Sequence, residues 1–408
     1  MLKCTNVSVA KLSIFFTIFL LLWTKNYSVV ITGITVLYSI YYLFINKDNI
    51  SINKVDWVVI GSLSAYFISS IPLAVIDWGN FRYFRGASRL LLCLPLYFML
   101  KSTITSTNAK EYYAPITWGV IGGSIGALGI ALFQSIVEGR TRVDGFLYSI
   151  NFGYLACVLA VLSIALFRDS KYKKLLIMSF ICATAATLMT LTRGAIFTLP
   201  LVSLLGVFLT RQYLTIKTSF VVTIIVVLSI TSFYNFSTHF QSRINYTLQE
   251  VSYIMAGDTE KAVSSGSRVL LWEASIEAFK STPLFGLTHP QREKLNKELA
   301  LKDSNYDWVA TVSRGHAHSQ YFDMLASGGT FGIIAIIFML FVPFIYFIRH
   351  QKTSKAAYIG TLFVASYILI CLTEVALQQN LISTFYGFMI ALLFALTKAE
   401  LKDTQIDQ

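Results

Sequence analysis

Charge is scarce in this chain. Only 13% of its 408 residues are Asp, Glu, Lys or Arg, against 55% hydrophobic and 14% aromatic, a composition that cannot supply the polar surface one or two soluble domains require. The bilayer is then the solvent. The five cysteines, Cys4, Cys93, Cys157, Cys182 and Cys371, stand at the amino terminus or inside apolar runs without paired spacing, so neither a disulfide framework nor a zinc site is expected. They read as packing residues. Lys3 and Lys11 precede the first apolar run, but no small-residue cleavage site follows it, so it reads as an uncleaved start-transfer helix with a cytoplasmic amino terminus. Three further signatures are missing. No Gly-rich phosphate loop with its Lys and no Asp-x-Asp metal motif lies at an outer connector, which argues against a nucleotide-sugar donor, and there is no internal inverted duplication of the kind common in transporters.

What is present is a succession of apolar runs of the length that crosses a hydrocarbon core, about twelve of them. They lie near Leu12 to Thr24, Ser28 to Ile45, Trp57 to Ile76, Ala87 to Leu100, Ala114 to Val137, Phe146 to Phe167, Leu175 to Leu191, Ala195 to Thr210, Ser219 to Tyr234, Gly328 to Ile348, Ala356 to Val375 and Leu381 to Leu396. The expected fold is an all-α polytopic membrane protein: 1–234 holding the first nine helices, 235–318 a long outer loop domain with short helices, and 319–408 the last three helices and a cytoplasmic tail.

The positive-inside rule tests this topology. Connectors on the inner side carry 17 cations, 14 of them lysine, whereas the short outer connectors carry seven, of which six are arginine: Arg82, Arg85, Arg89, Arg140, Arg142 and Arg193. The remaining nine lie in the long outer segment, and long loops are largely exempt from the rule. Topology alone does not require lysine inside and arginine outside. Guanidinium is planar, permanently charged and able to grip phosphate through two parallel hydrogen bonds, so the outer arginines suggest a phosphate or pyrophosphate ligand, with lipid headgroups or packing as the alternative for any one of them.

The outer segment is charge-balanced, nine cations against nine carboxylates. Ser267 is positioned to cap a helix through Arg268, Leu271, Trp272, Ser275 and Phe279 that ends at Ser281-Thr282-Pro283, with Trp272 suited to the membrane interface, and a second helix covers Pro290 to Lys302. The segment closes on Arg314-Gly315-His316-Ala317-His318-Ser319-Gln320-Tyr321, which sets two histidines at the outer boundary of the bilayer. Histidine titrates near neutral pH and can accept the proton of a sugar hydroxyl. A structural histidine at a helix cap is the alternative. A metal site is not expected, since on a helix the two rings of His-x-His point apart and no carboxylate follows at ligand spacing. Glu374, at the outer end of the eleventh run, is an ionisable group at membrane depth, able to orient His318, pair an arginine or form a purely structural ion pair.

Several short stretches resemble the bacterial O-antigen ligases and the related O-antigen polymerases and protein O-oligosaccharyltransferases. They are Leu191-Thr192-Arg193-Gly194-Ala195, Ser265-Gly266-Ser267-Arg268-Val269-Leu270-Leu271-Trp272, Pro283-Leu284-Phe285-Gly286, His316-Ala317-His318-Ser319-Gln320-Tyr321 and Gly328-Gly329-Thr330-Phe331-Gly332. Each is short, but their order and their place around one long outer loop are characteristic. The resemblance spans mainly Thr187 to Ile334. The first half adds only hydropathy and an Arg142-Val143-Asp144-Gly145 turn, and Ser319 departs from the asparagine that relatives more often carry.

The resemblance implies a GT-C-like glycosyltransferase of the bacterial inner membrane, with both termini cytoplasmic. It would transfer an O-antigen glycan from undecaprenyl pyrophosphate to the lipid A core oligosaccharide at the periplasmic face, with inversion and without metal or cofactor. Arg193 and Arg268 would bind the pyrophosphate and His318 would activate the acceptor hydroxyl. Arg142, Arg140, Arg82, Arg85, Arg89, Arg314, His316 and Glu374 are further candidates for substrate contact. Partners are these two substrates and membrane lipids, with no nucleic acid. A polymerase acting on lipid-linked repeats and a flippase or transporter of lipid-linked sugar remain as alternatives.

Overall fold

The computed structural model describes residues 2–46, 51–168, 170–210, 224, 228, 231–232, 234–235, 237–256 and 261–406. Regular structure among these residues is entirely helical. Such folding follows from the solvent, because hydrocarbon offers no partner for a backbone N–H or C=O and a helix satisfies its own. In chain order come α1 (Leu2–Phe19), α2 (Tyr27–Ile45), α3 (Lys54–Ile76), α4 (Ala87–Leu91), α5 (Cys93–Thr103), α6 (Tyr113–Leu132), α7 (Ser149–Phe167), α8 (Lys173–Met189) and α9 (Arg193–Thr210). In the polar segment that follows, the three longer helices are α10 (Thr238–Met255), α11 (Gly266–Ser281) and α12 (His289–Lys302), with a single helical turn at Asp307–Ala310 after them. Then α13 (Gln320–Ile336) runs through a π turn, Ile337–Phe341, into α14 (Val342–His350), and α15 (Lys355–Thr373) and α16 (Asn380–Ile406) complete the chain.

Seven stretches among the described residues are long and apolar enough to cross a membrane: Tyr27–Ile45, Lys54–Ile76, Ala109–Val137, Ser149–Phe167, Gln320–His350, Lys355–Thr373 and Asn380–Lys402. Asn6–Phe19 and Arg193–Leu209 are shorter apolar helices. The chain is therefore a multi-pass membrane protein. The fourth and seventh expected spans appear as helices below that length, α4–α5 broken at Leu92, and α8. The ninth, Ser219–Tyr234, lies outside the described residues apart from a few single positions, as do Arg211, Lys217, Asp258 and Glu260.

At the centre stand α7, α15 and α16, whose apolar side chains are almost all enclosed, while α2 turns most of its surface outward. Small residues let helices approach where no hydrophobic effect between apolar surfaces drives them together. On α6 a Cβ at Gly122 would meet the Phe19 ring at 2.4 Å and one at Gly126 the Trp23 indole at 1.8 Å. The Trp23 indole N–H donates to the Gly122 carbonyl at 2.8 Å across the same contact. Ser124, Ser179 and Ser163 link α6, α8 and α7 through hydroxyl bonds of 2.9 and 2.8 Å. Fully buried Asp56 on α3 accepts from Tyr97 at 2.6 Å and pairs with Lys101 at 2.5 Å and Lys398 at 3.1 Å, which ties α3, α5 and α16 together.

A backbone clasp joins the outer segment to the bundle. At Gly329, φ is +54°, so α13 is kinked there. The freed Thr330 N–H donates to the Pro283 carbonyl at 2.8 Å, and Leu287 N–H donates to the Ala326 carbonyl at 2.8 Å. Gly286, at φ +70°, sits against this kink, where a Cβ would lie 2.6 Å from the Ala326 oxygen. The Pro283-Leu284-Phe285-Gly286 and Gly328-Gly329-Thr330-Phe331-Gly332 stretches therefore form one structure. Gly286→Ala combines overpacking with a left-handed backbone and is expected to cost about 1–3 kcal/mol, seen as a lowered Tm in detergent.

Candidate functional site

The site begins at a tight turn between α8 and α9. Leu191 adopts φ +53°, Thr192 donates its hydroxyl to the Ser149 carbonyl at 3.1 Å, and Arg193 opens α9. A helix amino terminus already favours anions through its unpaired N–H groups and dipole. The Arg193 guanidinium uses one nitrogen, Nη1, which donates to Glu250 Oε2 at 2.5 Å and to Ser265 Oγ at 3.2 Å. Its Nε and Nη2 are buried without a hydrogen-bond partner among the described residues. Arg142 reaches the same turn, its Nε donating to the Thr190 carbonyl at 2.9 Å. Burial, and then the charges of Arg193 and Arg268, hold Arg142 below the ordinary arginine range. Burial and the charges of Arg193 and Arg142 do the same to Arg243 of α10. Arg142 thus lies within the field of Arg193, Arg243 and Arg268. Burial would raise the Glu250 carboxyl, but hydrogen bonds from Arg193, Ser264 and Ser265 overcome it and set its pKa to about 2.

Arg268, on the first turn of α11, donates from Nη1 to the Thr373 carbonyl at 2.9 Å. The next residue is Glu374, where α15 ends and the backbone becomes extended. Its carboxylate lies 3.1 Å from His318 Nδ1 and 3.4 Å from His316 Nε2. Burial would raise Glu374, yet the His318 hydrogen bond and the two histidine charges outweigh it and lower its pKa. Burial likewise lowers His316, against the opposing pull of Asp323 and Glu374. One corner, Thr373–Glu374, therefore brings Arg268 and His318 together.

The histidines do not lie on a helix. His318 has φ +46° and Arg314 φ +62°, conformations uncommon for such side chains and costly where they occur. The rings meet edge to face at 4.7 Å rather than pointing apart, and Glu374, 56 residues beyond His318, supplies the carboxylate that sequence spacing did not reveal. Among the described residues, His316, His318 and Glu374 are the set whose ligand atoms lie close enough, within 4.8 Å, to hold a metal ion. Ser319, the departure from the family pattern, stands at the cap position of α13 but turns its hydroxyl away from the helix, donating it to the Cys371 carbonyl at 3.4 Å.

A buried ion pair staples this loop. Arg292 of α12 meets Asp323 of α13 at 2.9 Å, donates to Ser327 Oγ at 2.7 Å and bonds the Gly315 carbonyl. Asp323 also accepts from Ala317 N–H at 3.3 Å and from the Gln378 amide at 2.6 Å, so one carboxylate holds both the histidine loop and the strap after Glu374. Trp272 completes the hold. It stacks on Phe322 at 5.0 Å and donates its indole N–H to the Ala317 carbonyl at 3.1 Å, so it braces the loop. The expected Ser267 cap is also displaced: Ser265 occupies the cap position, and the Ser267 hydroxyl bonds back to Val263. The second outer helix starts at His289, one residue before the expected Pro290, where Thr288 and Gln291 form a capping box.

On the far side of His316 opens a cavity of about 390 Å³ lined by Arg82, Arg85, Arg314, His289, His316 and Asp323 among others. Its wall is ordered by Tyr83, whose hydroxyl donates to Asp77 at 2.8 Å, accepts from the His289 N–H at 2.9 Å and whose ring stacks on His289 at 4.4 Å. Burial draws His289 down to about 4. Two expected arginines hold partners of their own, Arg89 doing so within the field of Arg85. Arg140 pairs with Glu138 and Asp144, both at 2.6 Å, within its own turn, and Arg89 donates to Asn380 at 3.1 Å. Sequence reasoning missed Glu250, Arg243, Arg292 and Asp323. Asp323 precedes the tenth expected run, Gly328 to Ile348, and falls only inside the longer stretch Gln320–His350 of the structure, so the rule that singled out Glu374 passed it by.

Residues 177–337 match the O-antigen ligase family. That match contains Arg193, Arg243, Glu250, Arg268, Arg292, His316, His318 and Asp323, while Arg142 and the Thr373–Glu374 corner fall outside it. The resemblance read from the short motifs is therefore supported by the O-antigen ligase match across the outer segment. The chain is also similar to an uncharacterized protein of Haemophilus influenzae, 25% identical over 387 residues, covering 91% of this chain and 93% of that one.

Two outcomes follow from the charge pairs. Asp323→Ala strands the Arg292 guanidinium in the interior and is expected to cost about 3–5 kcal/mol, whereas replacing both partners by apolar residues of similar volume recovers most of the loss, as thermal unfolding in detergent will report. Glu250 is depressed from an ordinary 4.5 to about 2, so its ionised form stabilises the fold fully above pH 4.5 and that contribution is lost as pH falls through about 2. The Tm difference between wild type and Glu250→Gln should accordingly be greatest at neutral pH and close on acidification.

Proposed function

We propose that the chain is an O-antigen ligase, transferring a glycan from an undecaprenyl-pyrophosphate donor to the lipid A core oligosaccharide at the periplasmic face of the inner membrane. The observation that carries this reading is an arginine cluster with a buried, unpartnered guanidinium edge, joined through the Thr373–Glu374 corner to a histidine paired with a carboxylate. Arg193 and Arg268, flanked by Arg142, hold the diphosphate and stabilise the charge that grows on it as the anomeric C–O bond breaks. Glu374 holds His318 by Nδ1, which leaves Nε2 to take the acceptor hydroxyl proton as that oxygen attacks from the opposite face of the sugar. Fixed guanidinium groups supply this stabilisation without a metal. Arg82, Arg85 and Arg314 in the cavity beside His316 offer anionic groups of the substrates a place to dock. The reading assigns twelve spans, with both termini cytoplasmic and 235–318 outside.

The test is transfer in vitro with purified protein, a pyrophosphate-linked glycan and rough lipopolysaccharide, with chelator present. Arg193→Ala, Arg268→Ala and His318→Ala should each reduce transfer by about a hundredfold or more while the protein remains inserted, and in cells the core should remain uncapped. Single repeats on the core would assign a polymerase instead. A silent His318→Ala would assign a carrier of lipid-linked sugar, and loss of wild-type transfer to chelator would place a metal at His316, His318 and Glu374.

A further inference from the structure

Glu250 puts a carboxylate inside an arginine cluster, where a negative charge at first looks opposed to binding an anion. Its side chain, only 1% exposed, is fixed at both oxygens. Oε1 accepts from the backbone N–H groups of Ser264 at 2.6 Å and Ser265 at 3.3 Å, and Oε2 accepts from the Ser265 hydroxyl at 3.0 Å and Arg193 Nη1 at 2.5 Å. One carboxylate of α10 thereby grips the first residue of α9 and the capping residue of α11, three positions before Arg268. Resting on the proposed diphosphate site, we infer that Glu250 is a positioning residue that aims Arg193 at the diphosphate it shares with Arg268.

The bond pattern favours positioning over competition. A competitor for the ligand would take the edge of guanidinium that best fits phosphate, the parallel Nε–Nη2 fork. Glu250 takes Nη1 alone and leaves Nε and Nη2 buried without a partner. A competitor would also need freedom to withdraw, whereas three hydrogen bonds to Ser264 and Ser265 hold this carboxylate in place. Tyr246, one turn earlier on α10, lies 5.1 Å beneath the Arg193 guanidinium and fixes its plane. Holding a long side chain in its bound geometry before the ligand arrives removes an ordering cost from binding.

The experiment measures inorganic pyrophosphate binding by titration calorimetry on the full chain in detergent, for wild type, Glu250→Gln, Arg193→Ala and the double variant, with Tm recorded for each. Glu250→Gln should weaken binding on the order of tenfold in the wild-type background and have no further effect in Arg193→Ala, since a residue acting through Arg193 has nothing left to act on. Glu250→Asp, whose carboxylate is one methylene short, should fall between wild type and Gln, and it serves as the second variant if Gln does not accumulate. Unchanged or tighter binding in both Glu250 variants, or an equal loss in the Arg193→Ala background, overturns the positioning role. If Arg193→Ala itself leaves pyrophosphate binding intact, the diphosphate site fails and this role fails with it.

Discussion

Everything at this end of the bundle depends on holding like charges together. Arg142 lies within the field of Arg193, Arg243 and Arg268, and among the described residues Glu250 is the carboxylate bonded into this group. In a partly desolvated setting such repulsion is only weakly screened. The protein answers with fixed acceptors, the Thr190 and Thr373 carbonyls and Glu250, each engaging a single nitrogen group of its arginine. Those bonds set the direction of the guanidinium groups without neutralising their sum, and an uncompensated buried edge is what a polyanionic leaving group can complete.

The carboxyl end of α15 links this charge to proton transfer. Thr373 accepts from Arg268 through its carbonyl, and Glu374 turns the chain into extended backbone while contacting both histidines. Asp323 then fixes the two sides of that contact from below, one oxygen on the histidine loop and the other on Gln378 of the strap. In the proposed reaction the groups that meet the leaving diphosphate and the group that meets the hydroxyl are thus set by one short piece of main chain.

Much of this was visible in residue order. Apolar runs announce helices wherever backbone polarity must be satisfied internally, and the excess of arginine over lysine on the outer short connectors marked Arg142 and Arg193, which the structure places together. Arg140 and Arg89 carried the same mark, but neighbours at Asp144 and Asn380 occupy them, and a count of cations cannot see which are already paired. The pairing of His318 with Glu374 was open because 56 residues separate them and only a folded turn closes the gap. Glu250 was invisible for a different reason. One carboxylate among nine in a charge-balanced segment has no distinguishing neighbour in sequence, and its importance comes from bonds to Arg193 and to Ser264 and Ser265 that tertiary packing alone creates. Trp272 followed the expected helical pattern, but the carbonyl of Ala317 that its indole meets lies 45 residues away and could not be read from sequence.

The clasp between Pro283–Leu287 and the kinked α13 bears on how such proteins can diverge. Because main-chain atoms make it, the path of the two segments is fixed together with the glycines at 286 and 329, where a Cβ would meet backbone, while the other side chains around it can vary. A chimaera that exchanged residues 235–318 between relatives would part Thr330 from its own Pro283 and Leu287 from its own Ala326. Recombination, natural or engineered, should therefore favour crossover points that carry 283–332 as one inherited block.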